Sequence, residues 1–125
     1  MTLTPDQLNR IAEQATAMNQ HENNDRISHN AAQDVLTERR RQVEAEGWTT
    51  AHDDEHEDRQ LAAAAASYAV ASVNPSAFAA PPSLWPWTSE WWKPSTRRRM
   101  LVKAAALILA EIERLDRAAA KNPQA

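Results

Sequence analysis

The chain contains a single glycine, Gly47, in 125 residues. β-Sandwiches and barrels need many tight turns and usually many glycines, so an all-β fold is excluded. The Gly-rich loops that cradle phosphates are excluded on the same ground. Cysteine is absent, which rules out disulfides, thiolate metal sites and a thiol nucleophile. No serine sits in a nucleophile-elbow pattern. Excess charge of one sign is also missing: 14 basic residues face 17 acidic ones, for a net charge of −3. That balance argues against nucleic acid as a partner, because gripping phosphates needs a basic excess. No apolar run approaches the roughly 18 residues of a membrane span, so a membrane partner is not expected. The opening "MTLTPDQLNR" has neither a basic n-region nor an apolar h-region, and the expected location is cytoplasmic.

Alanine is abundant and β-branched residues are few, which favours helix. The reading is an all-α fold: a small bundle of about four helices with a Trp/Pro-rich structured loop before the last. Thr4-Pro5 with Gln7 three residues after Thr4 marks a helix start. Leu8, Ile11, Ala12, Ala15 and Met18 share one face of that first helix. It is expected to fade in the polar stretch "NQHENNDR". A second helix begins near Ser28–Asn30, with Ala32, Val35, Leu36 and Val43 as its apolar stripe. Gly47 reads as its C′ residue and Trp48 as C″. Thr49 or Thr50 caps a third helix that runs through "RQLAAAAASYAVASV" to about Val73, where Asn74-Pro75 ends it. Residues 74–94 lack a clean period and form a structured loop. Ser95 or Thr96 opens the last helix, on which Leu101, Ala104, Ile108, Ile112 and Leu115 align, and Glu113 and Arg117 form an i,i+4 pair. The expected organisation is an accessory helix and polar loop (1–30), a helical core domain (31–119) and a frayed tail (120–125).

Four of the five tryptophans fall within ten positions, "WPWTSEWWKP". Prolines among Trp85, Trp87, Trp91 and Trp92 fix the backbone and so preorganise the rings. Two roles compete: a plug filling gaps in an alanine-rich core, and an aromatic wall for a flat ligand such as a nucleobase. At least two of the four rings are expected in the core and one or two at a pocket edge.

The stretch "HDDEHED" places His52 and His56 four apart, on one face of a helix. Imidazoles at that spacing can hold a divalent ion, with Asp53, Asp54 or Glu38 as carboxylate ligand, and Mg or Mn as the candidate cofactor. The competing reading is a solvated acidic helix start stabilised by the macrodipole. A third is a polar pocket lining that contacts a ligand without metal. Arg97 and Arg98 lie in the first turn of the last helix, where free N–H groups also suit a phosphate. Lys93 and Lys103 are the further basic candidates; Lys103, between Val102 and Ala104, either snorkels, pairs with a buried acid, or reaches a pocket.

The segments "ERRRQVEAEGWTTAHDDEH", "LAAAAASYA", "WPW", "WWKP" and "RRRMLVKAAALILAEIERLDR" resemble a family of small tailed-phage and prophage proteins, over about two thirds of the chain. The resemblance implies a bacterial host cytoplasm, infected or lysogenic. Some members of that family are likened to all-α NTP pyrophosphatases of the MazG type, which carry E-x-x-E and E-x-x-D motifs binding Mg²⁺. Glu113–Asp116 and Glu55–Asp58 match E-x-x-D, and no E-x-x-E precedes either.

Three functions follow as expectations. The first is binding of a nucleotide-derived ligand, sequestering a host defence signal: Trp48 and the four clustered indoles would stack the base, His52, Asp53, Asp54 and His56 would meet polar groups, and Arg97, Arg98 and Lys103 would meet phosphate. The second is a metal-dependent nucleotide pyrophosphohydrolase, with His52, His56, Asp53 and Glu38 holding Mg or Mn. The third is a protein-interaction module inhibiting a host defence protein, with tryptophan anchors. A homodimer through the alanine-rich third helix is the expected assembly.

Overall fold

A computed structural model of the chain describes residues 2–46 and 59–121. The described residues are helical or loop, with no strand among them. Among the described residues three α-helices occur where about four were expected: α1 (Pro5–Glu46), α2 (Gln60–Ala71) and α3 (Arg97–Lys121). The chain divides into two compact units, residues 1–33 and 34–125.

The missing helix count is explained by α1, which runs unbroken for 42 residues through the stretch read as a loop. "NQHENNDR" is polar, but it contains neither proline nor glycine, and polarity alone does not break a helix. Local side-chain pairs support it: Arg26 Nη2 donates to Asn23 Oδ1 at 3.1 Å, and His21 meets Asp25 at 3.4 Å one turn on. The N-terminus matches the expectation closely. The Gln7 amide donates to Thr4 Oγ1 (3.1 Å) and the Thr4 amide to Gln7 Oε1 (2.8 Å), a reciprocal capping box. The first unit is helix with its side chains in solvent: Leu8, Ile11 and Met18 are each more than half exposed. Glu46 ends α1; the expected C-cap pair Gly47 and Trp48 lies outside the described residues.

In the second unit the core forms between α2 and α3. Leu61, Ala64, Ala65, Tyr68 and Ala71 of α2 are buried with Met100, Ala104, Leu107 and Ala110 of α3. Alanines keep the two backbones close, while Leu61, Met100 and Leu107 fill the space fully. Ala64, Ala65 and Ala71 of the alanine-rich helix are thus used within the chain, while Ala62 is exposed. Helix α2 starts at Gln60, preceded by Arg59 in the left-handed region at φ 70°. A helix expected to continue through Arg59 from Thr49 or Thr50 is thus interrupted there; the two threonines lie outside the described residues. Val73 and Asn74 donate back to Val70 and Ala71, and Pro75 ends the run as expected.

Residues 74–96 contain two single 3-10 turns, Pro75–Ala77 and Ser89–Trp91. Helix α3 opens at Thr96, whose Oγ1 accepts from the Arg99 amide at 3.3 Å. Its apolar faces differ from the expectation. Of the residues aligned in the sequence only Ala104 is buried; Leu101, Ile108, Ile112 and Leu115 are 44–52% exposed. The helix is apolar on two sides, and the side carrying Met100, Leu107 and Ala110 is the one that α2 covers.

Candidate functional site

The tryptophan loop closes over the α2–α3 core with its rings against one another. Trp85 and Trp92 are 8% and 6% exposed. Trp92 stacks on Tyr68 with centroids 4.6 Å apart and 19° between planes. Trp85 meets Tyr68 edge-on at 5.4 Å and Trp92 at 5.0 Å, and Trp87 adds a further edge contact to Trp85 at 5.2 Å. Each of these three indoles donates its N–H. Trp85 Nε1 bonds the Thr88 carbonyl (3.1 Å), Trp87 Nε1 the Gln60 side chain (3.2 Å) and Trp92 Nε1 the Phe78 carbonyl (3.0 Å). Trp85 and Trp92, buried and with their N–H groups bonded, are packing elements, and Trp87 is half-buried against them. Trp91 differs: it is 40% exposed, with Lys93 Nζ 5.7 Å from its ring centroid.

Lys103 and Lys93 join the same cluster. Lys103 is buried; its ammonium donates to the Lys93 carbonyl (2.7 Å) and lies 5.5 Å from the Tyr68 ring centroid. The Lys93 amide donates to Tyr68 Oη at 3.3 Å. The ammonium thereby pins the loop's end to α3.

A second polar cluster ties the C-terminal stretch of α1, residues 34–46, to α3. Glu38 is 1% exposed. Arg41 holds both its oxygens, Nε to Oε1 at 2.6 Å and Nη2 to Oε2 at 2.8 Å, and Arg99 Nη2 also donates to Oε1. Burial raises the Glu38 pKa, and the two guanidinium groups more than offset this, holding it below its ordinary value. Arg39 pairs with Glu113 (3.4 Å) and Arg98 with Asp34 (2.8 Å). A buried carboxylate on α1 is costly unless paired, and the two guanidinium groups supply that pairing for Glu38.

The sequence-derived candidates therefore separate. Trp85, Trp87, Trp92, Lys93 and Lys103 converge around Tyr68. Glu38 and Arg98 belong to the ion network, and Arg97 is exposed at the start of α3. Glu38 as a metal ligand would have to share its oxygens with two guanidinium groups, whose charge repels a cation. Among the described residues no three His, Asp or Glu side chains are grouped to hold a metal. Trp48, His52, Asp53, Asp54 and His56 lie outside the described residues. Leu101, Ile108, Ile112 and Leu115, aligned on one face from the sequence, lie on the exposed side of α3. With Ala105 and Ala119 they recur at alternating steps of four and three, a second apolar line beside the one that forms the core.

No protein-family model, curated protein or solved structure matches the chain.

Proposed function

We propose that the protein is a helical interaction module whose working surface is the outer face of α3. The observation that carries this is the exposure of Leu101, Ile108, Ile112 and Leu115 on one line of a helix whose other side is already packed. A helix apolar on both sides leaves one apolar face in water unless a partner covers it, and a contiguous exposed apolar face marks an interaction site. The tryptophans then act inside the unit, holding α2, α3 and the loop together, rather than as anchors in the partner. Tagged protein from cells that make it should run as a complex heavier than one chain, and Ile108→Lys with Ile112→Lys should reduce it to single-chain mass with near-ultraviolet circular dichroism unchanged. Single-chain mass for both proteins would remove this reading.

A second reading, binding of a nucleotide-derived ligand that withholds a host defence signal, is favoured by one specific feature. Trp91, Lys93 and Arg97 are exposed within one short stretch, offering a ring face and two cations. Nucleotide binding there should quench tryptophan emission in the wild type and not in Trp91→Phe. No quenching across a panel of nucleotides would remove it.

A further inference from the structure

Resting on the reading that the outer face of α3 is an interaction surface, we infer that its occupant is α3 of a second copy, packed antiparallel. At roughly 100° per residue, the face centred on Lys103, Leu107 and Ala110 lies about 160° from the line through Leu101, Ile108 and Ile112. The first face is buried and the second exposed. The exposed line keeps a 4-3-4-3-4 spacing from Leu101 to Ala119, the repeat of a two-helix seam rather than of a surface facing a flat or irregular partner.

The order of residues in that seam selects direction. In an antiparallel pair, layers match positions of the two kinds across the axis. Leu101 then meets Ala119 of the partner helix, Ala105 meets Leu115, and Ile108 meets Ile112, with the same three layers repeated by symmetry. Each layer sets a large side chain against a small one or two isoleucines against each other, so no layer holds two alanines and the layer volume varies less than in a parallel pair. A parallel pair would instead set Ala105 against its own copy between bulky Leu101 and Ile108 layers, leaving a void.

Charge points the same way. The first turn of α3 carries Arg97, Arg98 and Arg99 and no acid. Parallel pairing would bring two such triplets together. Antiparallel pairing keeps the triplets apart and sets each beside the far end of the other helix, where the macrodipole is negative and Lys121 is the one basic residue of the last turn.

The test uses the whole chain at rising concentration in sedimentation equilibrium. The mass should double with concentration in the wild type and stay at one chain in Ile108→Lys, with thermal stability of the second unit retained. The absence of native cysteine gives a clean test of direction. An equal mixture of Ala105→Cys and Leu115→Cys proteins should oxidise mainly to the mixed disulfide. A wild type that stays monomeric, an Ile108→Lys variant that still dimerises, or Ala105→Cys linking mainly to itself would each overturn the inference. A monomeric purified chain that still forms a face-dependent complex in cells would sink the second-copy assignment and leave the interaction reading standing.

Discussion

Replacing Trp92 by alanine removes the ring at the centre of the loop's attachment. It is 6% exposed, stacked 4.6 Å from Tyr68, and bonded through Nε1 to the Phe78 carbonyl. Truncating a buried tryptophan costs about 3–5 kcal/mol, since the lost transfer energy is joined by a cavity that close-packed neighbours cannot fill. For a domain whose whole stability is about 5–15 kcal/mol, that is a large share. With a urea dependence of about 2 kcal/mol/M, the midpoint should fall by about 2 M. Near-ultraviolet circular dichroism is the suitable signal, because it follows aromatic packing in the second unit and not the solvent-facing first unit. Trp91→Ala is the matched control: the ring is 40% exposed, so its removal should cost less than about 1 kcal/mol. Trp92→Phe should fall between the two, keeping a ring on Tyr68 and losing the bond to Phe78. Equal losses for Trp91→Ala and Trp92→Ala would refute the assignment of these rings to packing.

Other expectations follow from the ion network and the helix cap. The lowered pKa of Glu38 means that the unfolded chain takes up a proton there before the folded one does. Its contribution is therefore complete above the ordinary carboxylate range and is lost as pH falls through that range toward the folded value, a slope that Glu38→Gln should flatten in urea unfolding measured at successive pH values. At neutral pH the same substitution removes charge-assisted bonds from Arg41 and Arg99 and should cost about 2 kcal/mol. Thr4→Ala breaks one half of the capping box and should weaken the start of α1 by about 1 kcal/mol. Faster amide exchange at Gln7, with urea unfolding of the second unit unchanged, is the result to look for.

Local signals in the sequence reported their own surroundings well. Thr4, Gln7 and Thr96 cap helices where their spacing places them, and Asn74-Pro75 ends α2, because these devices depend only on neighbouring backbone. Polarity misled at residues 19–26, where composition suggested a loop although the stretch holds neither proline nor glycine. The buried face of α3 was not legible either. Two apolar lines run along that helix, and the choice between them is made by α2 and the tryptophan loop, which are distant in sequence. The tryptophans were half legible: their clustering signalled burial, but which ring faces solvent depends on the register of Tyr68, Gln60 and Phe78 against them.

On the proposed function, the outer face of α3 acts while the packed indoles hold the fold. One magnetic-resonance experiment addresses both halves: methyl and indole N–H spectra recorded at rising protein concentration and then with added nucleotides. The Ile108 and Ile112 methyl signals should shift with concentration, and the indole N–H signals of Trp85, Trp87 and Trp92 should stay in place throughout. Methyl signals that ignore concentration, together with those three indole signals moving on addition of nucleotide, would contradict it.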